Sequence, residues 1–113
     1  MDRILILKTG ALGDVVRTTA ILPGLRELHR DARIVWLTAR GAVDLVRCHP
    51  LIAEVVAVDT KARESFAAAR AQLGEHAWKH VISLDDEEPL CALATSLRSE
   101  RLSGAYLRAD GTR

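Results

Sequence analysis

The segment Lys8-Thr9-Gly10-Ala11-Leu12-Gly13-Asp14 combines a cation, glycines and a carboxylate within one short stretch of the chain. Glycine permits positive φ and close approach of a ligand to the backbone. The segment is neither a Rossmann fingerprint, because G-x-G-x-x-G is absent, nor a Walker loop, because Lys8 precedes the glycines. We therefore predict a ligand-binding turn formed by Lys8, Thr9, Gly10 and Gly13, without a phosphate-cradling signature.

Asp14 has two compatible interpretations, because it stands where a helical pattern begins. Aspartate is a favoured helix N-cap, and its charge complements the positive end of the helix. A carboxylate at the rim of a ligand site can also act as a general base. The sequence predicts both roles for the same side chain.

Two later segments carry charge directly after an apolar run. Lys61 and Arg63 are either ordinary solvated cations or a clamp for carboxylate or phosphate groups of a ligand. Asp85 opens the acidic run Asp85-Asp86-Glu87-Glu88, which precedes Pro89 as acids at a helix start do. Contact of Asp85 with a ligand hydroxyl is the second interpretation of this run, and a magnesium site is the third.

Four short apolar runs begin at Ile4, Ile34, Val55 and Val81. They are nearly continuous instead of alternating, which indicates strands of a parallel sheet that are buried on both faces. The gaps between them leave room for crossover helices. Leu102 to Leu107 could begin a fifth strand.

The segments between the runs have helical character. Pro23 interrupts the first as a kink or restart. Gly41 to Arg47 forms a short second crossover, and about Ala62 to Leu73 forms an Ala-rich third. In the fourth, an apolar stripe recurs at helical spacing. Its members are Leu90, Leu93, Ala94 and Leu97.

Alternating strands and helices predict a three-layer, Rossmann-like α/β/α domain. Ligands bind such sheets at the carboxyl ends of the strands, near a switch in strand order. Asp14, Lys61 and Asp85 all follow strands, so we expect them to share that edge. The series of strands also looks unfinished, so we expect the chain to be the front part of a longer protein.

Composition narrows the function classes. The chain has 113 residues, of which 49% are hydrophobic, and a formal net charge of +1, which gives no indication of nucleic-acid binding. No stretch has the features of a signal peptide or a membrane span, which favours a cytoplasmic protein. Cys48 and Cys91 do not form a metal-binding pair, and we expect both to be buried free thiols.

The chain resembles the lipopolysaccharide heptosyltransferase family, glycosyltransferase family 9, most clearly from Arg3 to about Asp59. The resemblance rests on the strand followed by G-x-L-G-D, the Leu-Pro before the Leu-Arg helix, "DARIVWLT" and "HPLIAEVVAVD". The chain departs from the family pattern at Arg17-Thr18-Thr19, where members often have His-Thr.

The resemblance implies the amino-terminal, acceptor-binding domain of a two-domain GT-B enzyme. In such an enzyme Asp14 would be the general base of an inverting, metal-independent transfer from an ADP-heptose type donor, with no cofactor. Lys8, Lys61 and Arg63 would meet anionic groups of a glycolipid acceptor, and peripheral contact with the inner membrane would follow. The donor would bind mainly to a second domain, which 113 residues cannot include, so we expect the chain alone to be inactive.

Two alternatives remain open at this stage. One is a non-catalytic acceptor-binding module. The other is a response-regulator-like α/β switch domain, suggested by Asp85-Asp86 but disfavoured because the first strand ends in Lys8-Thr9 instead of an acidic pair.

Overall fold

The computed structural model describes residues 2–10, 12–85 and 87–104. Its strands are β1 (Arg3–Leu7), β2 (Arg33–Ala39), β3 (Glu54–Val58), β4 (Trp78–Ser83) and β5 (Ser99–Gly104). Its helices are α1 (Leu12–Thr18), α2 (Leu22–Leu28), α3 (Val43–Arg47), α4 (Arg63–Leu73) and α5 (Glu88–Ser96). Short 3₁₀ turns at Thr19–Ile21 and Arg40–Ala42 precede α2 and α3.

The five strands form one parallel sheet in the order β3-β2-β1-β4-β5. Leu7 of β1 is in register with Leu37 of β2 on one side and Ser83 of β4 on the other. The predicted parallel sheet is therefore confirmed. The chain builds outwards from β1 to β3 and then crosses back to β4, so the switch in strand order lies between β1 and β4.

This strand order also excludes one of the two predicted alternatives. Response-regulator-like domains have the order 2-1-3-4-5, whereas this sheet has the Rossmann order 3-2-1-4-5. The response-regulator alternative was wrong, because β1 lies between β2 and β4 here, whereas the order 2-1-3-4-5 would place it between β2 and β3.

Helices cover both faces of the sheet, which confirms the three-layer architecture. On one face Ile4 and Ile6 belong to a core that includes Val15 of α1, Leu22 of α2 and Val46 of α3. On the opposite face Leu5 and Leu7 belong to a second core, to which α4 and α5 contribute five buried residues. These are Ala69, Leu73, Leu90, Leu93 and Ala94. Successive residues of a strand point to opposite faces, so one apolar run serves both cores.

Pro23 begins a new helix, as the sequence predicts. It occupies the first turn of α2, where the missing N–H costs no intrahelical hydrogen bond. β4 begins at Trp78, earlier than the predicted Val81, because exposed Lys79 interrupts the apolar run between buried neighbours. β5 begins at Ser99, earlier than the predicted 102, and positions 105–107 of the predicted strand lie outside the described residues.

The two cysteines differ in their surroundings. Cys91 is buried in α5, as predicted, whereas Cys48 is exposed and the prediction for it was wrong. Cys48 directly follows Arg47, the last residue of α3, and caps the carboxyl end of that helix. Residue type alone therefore did not predict whether Cys48 is buried.

Candidate functional site

The turn after β1 brings its polar residues to the carboxyl edge of the sheet. Lys8 and Leu84 continue the hydrogen bonding of the sheet, since Lys8 N donates to Leu37 O (3.0 Å) and Leu84 N donates to Leu7 O (3.0 Å). The β1–α1 turn is thus held at the switch between β1 and β4. This is the position at which open α/β sheets bind ligands.

Asp85, the second residue after β4, accepts hydrogen bonds from this turn with both carboxylate oxygens. Lys8 Nζ lies 2.8 Å from Oδ1, while the backbone N–H and the hydroxyl of Thr9 both donate to Oδ2, the hydroxyl at 2.6 Å. The Asp85 side chain is 6% exposed and the Lys8 side chain 16% exposed. A buried, charge-assisted network of this kind fixes the turn and orients the lysine.

Gly10 packs directly against this network. A Cβ at Gly10 would lie 3.0 Å from Lys8 Nζ and 3.6 Å from Asp85 Oδ1. Gly13 differs, because a Cβ there would meet no atom within 4 Å. Neither glycine has positive φ. The first glycine of the motif therefore makes room for Lys8, whereas the described neighbours leave space for a side chain at the second.

Asp14 is the third residue of α1 and lies within its first turn. The N-cap interpretation was therefore wrong, although an acid in the first turn still interacts favourably with the helix dipole. The Asp14 carboxylate accepts a hydrogen bond from the guanidinium of Arg17, one turn later in the same helix. That bond, the charge of Arg17 and the charge of Lys8 lower the pKa of Asp14 against a smaller opposing effect of burial. The carboxylate is consequently ionised well below neutral pH.

Asp14 and Lys8 line the same depression, which we call the Asp14 cleft. It has a volume of about 390 Å³. The residues that line it are Lys8, Asp14, Arg17, Thr18, Ile21 and Leu84. Half of the Asp14 side chain, 49%, is accessible to solvent. The site thus offers an ionised, accessible carboxylate beside a lysine whose position is set by Asp85.

Lys61 and Arg63 lie at the carboxyl end of β3 and line a different depression, which we call the α4–α5 groove. It has a volume of about 560 Å³. Phe66, Pro89 and Leu93 contribute apolar surface to it. All strands are parallel, so Lys61 shares the carboxyl edge with Asp14 and Asp85, as predicted. The three residues do not share one cavity, however, because α4 covers the face of the sheet opposite α1.

Four residues of the Asp14 cleft were not predicted, namely Arg17, Thr18, Ile21 and Leu84. Arg17 follows Asp14 at i+3, a spacing at which opposite charges meet on a helix surface, and this signal could have identified it. Thr18 donates its hydroxyl to Asp14 O at 2.7 Å, which is ordinary back-bonding within a helix. Leu84 and Ile21 carry no chemical signature and are recognised only from the fold.

The acidic run after β4 does not gather into a metal site in the described part of the chain. No group of three or more His, Cys, Asp or Glu side chains within residues 2–10, 12–85 and 87–104 converges to hold an ion. Asp86 lies outside the described residues. Glu88 begins α5 and Pro89 lies in its first turn, which agrees with the prediction of acids at a helix start. None of the described helices has the length and apolar character needed to cross a membrane.

Solved structures share this fold. A glycosyl transferase family 9 protein of Veillonella parvula matches 93% of this chain with a TM-score of 0.79 and 22% sequence identity. The heptosyltransferase WaaC of E. coli, solved with ADP, matches 88% of the chain with a TM-score of 0.75 and 23% identity. A second WaaC structure, with ADP-2-deoxy-2-fluoro heptose, matches equally well at 22% identity.

The matched chains are considerably longer than this one. The chain spans about a third of each, between 32% and 35% of their lengths. No model of a known protein family matches the sequence, and no curated protein is significantly similar to it. At 22–23% identity these likenesses establish the fold, an α/β domain of the kind found in GT-B type glycosyltransferases.

Proposed function

We propose that this chain is the amino-terminal, acceptor-binding domain of a glycosyltransferase of family 9. In this proposal the complete enzyme moves a heptose or related sugar from an ADP-sugar to a glycolipid of the lipopolysaccharide core type. The shared fold supports the proposal, and so does the G-x-L-G-D turn that the resemblance to the family singles out. Contact with an acceptor embedded in the inner membrane would be peripheral.

The observation that carries the proposal is the position of Asp14. Its carboxylate is half accessible, lines a cleft at the carboxyl edge and lies beside the switch between β1 and β4. A general base must be ionised before it acts. Asp14 meets this condition at neutral pH, because its pKa lies below the ordinary aspartate value of 3.8. An acceptor hydroxyl placed in the cleft would meet this carboxylate.

The proposed step is an inverting displacement. Asp14 removes the proton of the acceptor hydroxyl while the oxygen attacks the anomeric carbon of the donor sugar. The bond from that carbon to the diphosphate oxygen breaks, and ADP leaves with the electron pair. The proton ends on Asp14 and later passes to water. Metal-independent transfer is part of the proposal, and it follows from the family resemblance.

The basic residues would bind the anionic groups of the acceptor. Lys8 is anchored by Asp85 in the Asp14 cleft, so it presents its charge at a defined position. Lys61 and Arg63 are exposed at the mouth of the α4–α5 groove. We assign them to parts of the acceptor that lie farther from the attacked hydroxyl, because they line a cavity other than that of Asp14.

The donor nucleotide belongs to another part of the enzyme in this proposal. The β1–α1 turn lacks the phosphate-cradling pattern, and its lysine is bound to Asp85. We therefore expect calorimetric titration of the 113-residue chain with ADP to detect no micromolar affinity. Micromolar binding would mean that the donor and acceptor sides have been assigned in reverse.

The test of the function is a transfer assay on the product of the complete gene. ADP release should depend on both ADP-heptose and a lipid A–core glycolipid, and the product should gain one heptose by mass spectrometry. The isolated chain should bind the glycolipid and release no ADP. If the complete protein binds the glycolipid but transfers no sugar, the protein is a non-catalytic acceptor-binding module and not an enzyme.

A further inference from the structure

Arg17 holds Asp14 in a pair that solvent can reach. Its side chain is 79% exposed and its guanidinium contacts the Asp14 carboxylate across one turn of α1. Arg17 also lines the Asp14 cleft with Lys8. The four charged groups therefore alternate in sign along the site, from Asp85 through Lys8 and Asp14 to Arg17.

The two cations of this series differ in their freedom. Lys8 is largely buried and tied to Asp85 with an Nζ–Oδ1 distance of 2.8 Å. Arg17 is bound to Asp14 on the surface, where an ion pair is weak and screened by salt. Its guanidinium can therefore readily leave the Asp14 carboxylate for another anion. A guanidinium also matches phosphate or carboxylate oxygens with parallel hydrogen bonds. Arg17 is thus the cation that an incoming anionic group can capture.

We propose that Arg17 is an acceptor-specificity residue, whose guanidinium holds Asp14 in the free protein and transfers to a phosphate or carboxylate group of the bound acceptor. This inference rests on the proposed function, because it takes Asp14 as the base. Binding of the anionic group then frees the Asp14 carboxylate at the moment when the acceptor hydroxyl reaches it. An acceptor without the anionic group would leave the base engaged.

Release of Arg17 from Asp14 would also make the Asp14 carboxylate a stronger base. The hydrogen bond and charge of Arg17 are the main causes of the lowered pKa of Asp14, and Lys8 acts in the same direction. A carboxylate with a depressed pKa is a weaker proton acceptor. Transfer of Arg17 to the acceptor removes the larger influence and restores basicity to Asp14, while Lys8 stays with Asp85.

The chain contains a matched control for this pair. In α3, Arg47 contacts Asp44 with an Nη2–Oδ1 distance of 2.5 Å at the same i,i+3 spacing, and both side chains are exposed. Neither residue lines the Asp14 cleft or the α4–α5 groove. Arg47→Gln therefore removes an equivalent surface pair away from the proposed site.

The experiment follows the carboxyl carbon of Asp14 by NMR through an acid titration of the ¹³C-labelled chain. Sulfate serves as the anion, because it stays doubly charged to a much lower pH than phosphate does, and chloride at equal ionic strength is the reference. Sulfate should raise the titration midpoint of Asp14 in the wild type and in Arg47→Gln. In Arg17→Gln the midpoint should already be raised in chloride and should not move further in sulfate.

Two results would overturn the inference. One is a wild-type midpoint that is the same in sulfate and chloride, and the other is an equal sulfate effect in Arg17→Gln, which would place the anion at Lys8. The titration needs neither donor nor turnover. The exchange can therefore fail while Asp14-dependent transfer stands, and transfer can fail while the exchange is observed.

Discussion

Lys8 Nζ and Asp85 Oδ1 lie 2.8 Å apart although 77 positions separate the two residues in the chain. The contact joins the ends of β1 and β4 at the switch in strand order. It turns a flexible lysine into a fixed charge on the wall of the Asp14 cleft. The geometry of the candidate site thus depends on the pairing of β1 with β4, which requires the chain to cross back from β3 at the edge of the sheet.

Asp14→Asn in the complete enzyme should separate the chemical role of this carboxylate from its structural one. Asparagine keeps the size of the side chain but cannot accept a proton near neutral pH. Turnover should fall by roughly 10²–10⁴-fold, the usual contribution of a general base. Steady-state transfer assays and thermal melts of the same variant provide the measurement.

The control for this substitution is Asp44→Asn, which also removes a first-turn acid paired with an arginine at i+3. It should leave turnover unchanged, and the two variants should melt at similar temperatures. If the turnover of the Asp14→Asn enzyme is within a few-fold of the wild-type value, Asp14 is not the general base and only stabilises its helix.

Breaking the Lys8–Asp85 pair should destabilise the domain. Lys8→Met leaves the buried Asp85 carboxylate without its cation. Asp85→Asn leaves the Lys8 ammonium without its anion and weakens the hydrogen bonds that Thr9 donates. Each single change should lower the free energy of unfolding by about 3 kcal/mol, as expected when one member of a buried pair is removed. Urea unfolding measures the loss, and a double-mutant cycle measures the coupling between the two residues.

A matched surface pair tests whether burial is the cause. Lys79 and Glu100 join β4 and β5 with an Nζ–Oε2 distance of 3.2 Å, and both are exposed. Lys79→Met should leave the unfolding free energy close to that of the wild type. Equal losses for Lys8→Met and Lys79→Met would contradict the account of Asp85 as a buried anchor.

Acidification should destabilise the sheet through His80. This side chain is buried in β4, and a ring nitrogen lies 2.7 Å from Ser103 Oγ of β5. Burial, followed by the charges of Arg101 and His29, lowers the pKa of His80 below its usual 6.5. The unfolded chain therefore binds more protons than the native state in this range. The stabilisation is complete above pH 6.5 and declines as the pH falls towards the native pKa.

Urea unfolding across that pH range measures the effect. The free energy of unfolding should decrease below pH 6.5 in the wild type, and the decrease should be smaller in His80→Gln, which has no titrating ring. An identical pH dependence in the two proteins would show that His80 is not the source.

Gly104 should not tolerate a side chain. It ends β5 with φ of 90°, and a Cβ there would lie 1.8 Å from the carbonyl oxygen of Ser83 on β4. Gly104→Ala should cost about 3 kcal/mol or more, because backbone strain adds to the steric overlap. Gly41→Ala is the control, because a Cβ there meets no atom within 4 Å. Similar melting temperatures for the two variants would contradict the close approach of β5 to β4.

Local patterns predicted the elements of this fold. The apolar runs from Ile4, Ile34 and Val55 became strands within one residue of those starts, because strands covered on both faces need continuous apolar sequence. Pro23 restarted a helix where the ring is tolerated. The segment from Lys8 to Asp14 was identified as a candidate ligand turn by its residue types alone.

These local patterns could not predict the order of the strands in the sheet. Periodicity reports which faces of an element are buried, but not which strand lies beside which. Only the folded sheet placed β4 next to β1, and this brought Asp85 to Lys8 and Thr9. The same topology put α4 on the face opposite α1, so Lys61 lines a different cavity from Asp14.

The sequence by itself determined the strands, the helices and the chemical character of the β1–α1 turn, because these depend on short-range spacing and residue type. The tertiary structure decided which distant charges became partners. Asp85 could have been a ligand contact or a helix-start acid, and packing across the β1–β4 switch made it a buried anchor. Such pairings depend on the path of the crossover and on the exclusion of water, and neither is encoded in any single segment.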